Sequence, residues 1–241
     1  MALVLLDTGW GQANEATLTT ALRAKGYIPS IVAYFPTTVG KAVAGSLAEA
    51  IIKSKADCAI LLANSGNGAE MVNALGERNP DLRIFSHWGI TGSSDFVDQV
   101  SQDRRSQMQI KVLQTCGLKR EAEGNDVLRK AMSAGAPNAS SLIEIPAAAG
   151  FVHGYDLGKI LMAASRQASR TSEWRQDIIS RRYALKLALE ALERPVQGIL
   201  KSYSPPFRQY APDTPDAHEA LGLEDLCLAQ FMENGLLANA N

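Results

Sequence analysis

The chain has 241 residues, 46% of them hydrophobic and 20% charged, enough apolar content for one large core or two smaller lobes and too much for a disordered or fibrous protein. Its 24 basic and 25 acidic residues leave a net charge of −1, so no basic field draws in nucleic acid or an anionic membrane. No apolar run approaches the roughly 20 residues that cross a bilayer, and Met1 leads straight into a strand-like segment without a signal-peptide pattern, so any export signal is not encoded here. Cys58, Cys116 and Cys227 are odd in number, with no CxxC pair and no histidine at metal-ligand spacing, and read as buried thiols.

Along the first hundred residues, short apolar runs alternate with stretches of helical periodicity. Ala2 to Leu6 reads as a strand, Asn14 to Lys25 as a helix ended by Gly26, Ile28 to Phe35 as a strand and Gly45 to Ser54 as a helix. Asp57 to Ala63 follows as a third strand, Ala69 to Gly76 as a helix and, after the Asn79-Pro80 turn, Leu82 to Ser86 as a fourth strand. A helix in every crossover requires parallel strands, and right-handed crossovers place each strand-to-helix loop on one rim. The expected fold class is therefore α/β, a parallel sheet sandwiched by helices, with ligand binding at that rim.

Four segments form the rim: Asp7 to Gln12, Pro36 to Thr38, Asn64 to Gly68 and Ser86 to Gly92. They are rich in small polar residues that present hydroxyls and backbone N–H groups, and Trp10 and Trp88 add flat apolar surfaces that either face a ligand or cap the sheet. Gly9-Trp10-Gly11 does not continue into a dinucleotide fingerprint, because Asn14 stands at the third glycine position and Trp10 would crowd a pyrophosphate. Asn64 to Gly68 lacks the Gly-Lys-Ser/Thr ending of a phosphate loop. No nucleophile elbow, Cys–His pair or paired carboxylates appear, Ser65 lacking the Gly-x-Ser-x-Gly frame, so the chain does not read as an enzyme. His153 and His218 are isolated, which gives no metal site, and no cofactor is expected. Arg175, Arg181, Arg182 and Lys186 alternate with Tyr183 and Leu187 at helical spacing, the pattern of a solvated amphipathic face.

A set of ordered strings carries a family resemblance: the strand followed by Asp7-x-x-Trp10-Gly11; Ala56-Asp57; Phe85-Ser86-His87-Trp88-Gly89-Ile90-Thr91-Gly92; Gly150-Phe151-Val152-His153-Gly154-Tyr155-Asp156; and a tail with Tyr210-Ala211-Pro212, His218-Glu219-Ala220-Leu221-Gly222 and Glu224-Asp225. In order and spacing the chain resembles the leucine/isoleucine/valine-binding-like, periplasmic type I substrate-binding proteins of ABC transporters, also called extracellular ligand-binding receptors. The resemblance implies two α/β lobes that close on a small solute, here an amino acid or related carboxylate. It implies a periplasmic location, an ABC permease as partner and branched-chain or other amino acid transport. A ligand-sensing module of the same fold, or a truncated lobe without binding activity, stand as alternatives.

The same resemblance assigns residues 1–113 to the first pass through the second lobe, 114–194 to a mainly helical return into the first lobe and 195–241 to a closing segment of the second lobe. Helices are expected over Phe151 to Ser165 and Ser172 to Leu192, and a loop over Gly117 to Ser141. The family's opening first-lobe units have no counterpart ahead of Ala2, which implies exposed apolar helix faces covered by a segment from another chain, by repacking on the second lobe, or by two copies pairing through exchange or isologous contact; a homodimer or other assembly is expected. It implies ligand contacts from Trp10 and Gly11, from Ser65, Gly66 and Asn67, from His87 and Trp88, and from Tyr155. The residues themselves leave other roles open: Asp7 as a helix cap, His87 as a loop hydrogen-bonding group and Tyr155 as core.

Overall fold

The computed structural model describes residues 1–119, 125–145 and 147–240, which fall into two compact units, Met1–Gln114 with Cys227–Asn241 and Thr115–Leu226. The resemblance grouped residues 195–226 with the first of these; in the structure they belong to the same unit as residues 115–194.

The first unit is built on β1 (Ala2–Leu6), α1 (Gly9–Ala24), β2 (Ile31–Phe35), α2 (Lys41–Lys53), β3 (Cys58–Leu62), α3 (Ser65–Arg78) and β4 (Arg83–His87). Short helices α4 (Asp95–Gln99) and α5 (Gln102–Gln107) lead to β5 (Lys111–Thr115), and the chain returns at its end as β8 (Leu226–Phe231) and β9 (Leu237–Asn239). The sheet runs β2-β1-β3-β4-β5-β8-β9. β1 pairs in parallel with both β2 and β3, β3 with β4 and β4 with β5, while β8 and β9 pair antiparallel. Alternation along β1 sends Ala2 and Val4 to a core shared with Ala44, Ile51, Met71 and Leu75, and Leu3 and Leu5 to the opposite face against Leu18 and Leu22 of α1. Helices therefore cover both faces, and the parallel α/β sandwich read from periodicity is the observed fold.

Boundaries moved where backbone chemistry overrides hydrophobic period. β2 starts at Ile31 rather than Ile28, because Pro29 has no N–H for the ladder and Ser30 instead donates its N–H to the Met1 carbonyl at 2.8 Å. α1 starts at Gly9 and α3 at Ser65, four or more residues before the first apolar-periodic positions, since Thr8 and Asn64 cap them.

The second unit contains α6 (Asp126–Gly135), α7 (Ala148–Ala168) and α8 (Ile178–Glu190), with a hairpin of β6 (Val196–Gln197) and β7 (Ser202–Tyr203). α6 corrects the loop expected over residues 117–141: its apolar positions Leu128, Ala131 and Met132 are buried, and Asn125 caps it by accepting the Leu128 N–H at 3.0 Å. Residues 120–124 of that stretch lie outside the described residues. α7 and α8 meet through small residues, Ala164 and Ala168 against Ala184 and Ala188. Leu157, Leu161 and Met162 of α7 and Ile178, Ile179, Tyr183 and Leu187 of α8 are exposed, Ile179 to 74%.

The link from α7 to the hairpin is a buried carboxylate. Asp156 accepts the N–H groups of Ile199 at 2.6 Å and Leu200 at 3.0 Å and the Tyr203 hydroxyl at 2.9 Å. Burial and the adjacent charge push the Tyr203 phenol well above its ordinary pKa. Gly198 is needed at the turn, because a Cβ there would lie 2.5 Å from the Asp156 carboxylate.

Cys116 and Cys227 are each disulfide-bonded, which corrects the reading of all three cysteines as thiols; Cys58 alone is free, and burial raises its pKa. Sequence spacing carries no local signal for a bridge made by tertiary contact.

Replacing Asp156 with Ala strands two buried N–H groups and a phenol, and is expected to destabilise the second unit by at least about 3 kcal/mol. Tyr203→Phe, which removes only one donor, should cost about 1 kcal/mol; urea denaturation of both variants checks the ranking.

Candidate functional site

The strand order reverses at β1, whose sheet neighbours are β2 on one side, reached from it through α1, and β3 on the other, reached from β2 through α2. Beside such a reversal the loops diverge over the two sheet faces and leave a crevice outside the carboxyl ends of the strands. The starts of α1 and α3 and the segment after β4 form that rim here.

Each helix start is fixed by a side chain. Thr8 Oγ1 accepts the Gly11 N–H at 3.2 Å and Asn64 Oδ1 accepts the Asn67 N–H at 3.0 Å. The cap of α1 is thus Thr8 and not Asp7, which is exposed and holds the end of β2 by donating its N–H to the Phe35 carbonyl at 2.7 Å. The N–H groups of Gly9, Trp10, Ser65 and Gly66 precede the first intrahelical acceptors, so both helix ends present donors and positive dipole ends at the rim. Gly11 sits where α1 closes on β1: a Cβ there would be 1.8 Å from the Leu6 carbonyl oxygen. A Cβ on Gly66 would meet open space, which leaves that turn of backbone accessible.

The aromatic residues converge. The Trp10 and His87 rings lie 5.3 Å apart, tilted at 54°, and His87 meets Trp88 edge-on at 5.9 Å. Trp10 stays 46% exposed and Trp88 39%, so neither indole is a buried cap on the sheet. His87 Nδ1 accepts the Gly89 N–H at 3.0 Å, which puts the neutral ring's proton on Nε2. Nε2 is buried with no hydrogen-bond partner among the described residues, and burial holds the imidazole below its ordinary pKa. Gly89 makes the arrangement possible, since a Cβ would stand 2.3 Å from His87 Cε1 and 2.7 Å from the Ala63 carbonyl oxygen.

Ser65 and Asn67 reach the same rim but spend their side chains on it. Ser65 Oγ accepts the Ser93 N–H at 3.0 Å, and Asn67 donates Nδ2–H to the Thr37 carbonyl at 2.9 Å while its Oδ1 accepts the Val39 N–H at 3.4 Å. Ser65 ties the segment after β4 to α3, and Asn67 ties the segment after β2 to α3. Tyr155 stands on α7 in the second unit, half-buried in a groove described below. Thr8, Asn64 and Gly89 were not singled out from sequence; a polar residue just after each strand is a signal for the first two, whereas nothing local marks Gly89.

Among the described residues no group of three or more His, Cys, Asp or Glu side chains is placed to hold a metal, and no helix is long and apolar enough to cross a membrane.

No protein-family model and no curated protein matches the chain. Solved structures do. The chain is similar to an extracellular ligand-binding receptor from Rhodopseudomonas palustris HaA2, at 17% identity and a TM-score of 0.73, over 100% of this chain and 63% of that one. It is similar to a periplasmic binding protein type 1 from Bordetella pertussis Tohama I, at 12% identity and a TM-score of 0.72, over 99% and 60%. An ABC transporter substrate-binding protein from Aeropyrum pernix is similar at 14% identity and a TM-score of 0.66, over 100% and 59%.

Gly11→Ala should lower the melting temperature, the first turn of α1 being unable to move off Leu6 without losing its Thr8 cap. His87, and His153 beside it in sign, bind protons more weakly in the folded than in the unfolded chain. Their contribution to stability is therefore complete above the unfolded histidine pKa of about 6.5 and declines as pH falls below it. His87→Gln should flatten the stability slope between about pH 6.5 and pH 5, read by denaturant midpoints.

The chain spans about three fifths of the length of these structures, and its fold is that of the type 1 periplasmic binding proteins.

Proposed function

We propose that the chain is the solute-binding component of an ABC-type uptake system and that the rim beside β1 binds the small molecule. The observation that carries this reading is the Trp10–His87–Trp88 cluster, two half-exposed indoles about one imidazole, set where the strand order reverses in a fold shared with ligand-binding receptors. Exposed indoles supply apolar contact area, and the outward N–H groups at Gly9, Trp10, Ser65 and Gly66 suit a carboxylate. An amino acid or related small carboxylate fits both halves of this description. Gly11 and Gly66 contribute backbone, whereas Ser65 and Asn67 hold the rim segments in place.

The disulfide-bonded cysteines favour an oxidising compartment such as the periplasm, and a permease would then be the partner. The exposed apolar side chains of Leu157 and Leu161 on α7 and of Ile178, Ile179, Tyr183 and Leu187 on α8 exceed the scattered residues of an ordinary monomer surface. A second copy of the chain covers them in this reading, as an isologous contact.

Two measurements test it. Thermal shift across a library of amino acids and aromatic acids should give a ligand-dependent rise that Trp10→Ala and Trp88→Ala each reduce at least about tenfold in affinity. Light scattering should give twice the 25.9 kDa chain mass. A library without any shift refutes solute binding by this chain, and a monomer refutes the pairing.

A further inference from the structure

A groove of about 310 Å³ lies wholly within the second unit, on the side of α7 that faces α6 and the start of β6. Tyr155, Lys159, Met162 and Arg166 line it from α7 at i, i+4, i+7 and i+11, a spacing that stacks them along one helical stripe. Lys130 of α6 faces them, and Val127, Ala163, Pro195 and Val196 supply apolar wall. The groove is thus furnished with three cations and a phenol. One carboxylate, Asp126, is also in it, but it is ion-paired with Arg129. Among the described residues, Lys130, Lys159 and Arg166 have no carboxylate partner.

Three like charges about one concavity repel one another and raise the local concentration of counter-ions. In a chain of net charge −1, this concentration of unpaired cations is not a consequence of overall composition. We infer that the groove is a binding site for a compact polyanion, a ligand with two or more negative charges on neighbouring phosphate or carboxylate groups. Lys159 and Arg166 grip it from α7 and Lys130 closes on it from α6. Arg166 supplies a planar fork of N–H donors suited to paired oxygens, and the Tyr155 hydroxyl adds a neutral donor. The volume is at the low end for ligand sites, which favours a molecule of pyrophosphate or citrate size. Leu157 and Leu161 lie roughly 200° and 240° round the helix from Tyr155, whereas Met162 lines the groove, so pairing of two copies through Leu157 and Leu161 leaves the groove open.

The test is calorimetric titration of the full chain with sodium pyrophosphate and, separately, with citrate, at low salt. Saturable binding is expected, weakening as salt is raised and falling about a hundredfold in Lys159→Ala/Arg166→Ala, about tenfold for each cation lost. Lys159→Arg should keep most of the affinity. Pyrophosphate alone binding identifies a phosphate site, and citrate alone a carboxylate site. Trp10→Ala should leave the titration unchanged, which separates this site from the rim beside β1. No saturable heat with either anion, or unaltered affinity in a double variant whose melting temperature matches the parent, overturns the inference.

Discussion

The reversal of strand order at β1 is the constraint from which the first unit's candidate site follows. β1 hydrogen-bonds β2 on one side and β3 on the other, so the chain leaving β1 and the chain leaving β3 cover opposite sheet faces. Their helices start at the same rim and diverge from it. Everything placed there inherits the stiffness of a sheet buried on both sides, including the two indoles and the imidazole between them. The segments after β2 and β4 have no such anchor of their own. Asn67 and Ser65 provide it by bonding their backbones to α3, and this explains why two polar residues at a binding rim are turned inward.

Close backbone approach is the second condition. Gly11 lets α1 begin against Leu6, and Gly89 lets the segment after β4 fold under the His87 ring. The ring is consequently held by the Gly89 N–H, flanked by Trp10 and Trp88, and kept neutral by burial. A neutral imidazole at this position carries no charge, so it does not repel a ligand ammonium. The second unit is organised by a different device, one carboxylate that collects two backbone N–H groups and a phenol to hold a hairpin on α7.

Much of this was legible in the residues. The β1, β3 and β4 strands, the parallel order and the rim that carries Trp10, His87 and Trp88 all follow from hydrophobic period and crossover length, because burial on both sheet faces leaves continuous apolar runs. What failed to show was local backbone chemistry. Glycines at 66 and 68 read as loop, yet the Asn64 cap drives α3 to begin before them. The stretch that forms α6 reads as a loop because its surroundings are rich in Ala, Gly and Asn, although Leu128, Ala131 and Met132 form a buried stripe. The engagement of Ser65 and Asn67 by neighbouring segments and the groove that Tyr155 shares with three cations depend on contacts between distant residues. No spacing in the sequence encodes them.

The three tryptophans offer the most direct test of solute binding at the rim, since Trp10 and Trp88 stand on it and Trp174 lies beside α8 in the second unit. With 5-fluorotryptophan incorporated, fluorine NMR during titration with the library compound of highest affinity should move the Trp10 and Trp88 signals together along one saturation curve and leave Trp174 in place. Unmoved Trp10 and Trp88 signals at saturation, or a response confined to Trp174, would contradict the account.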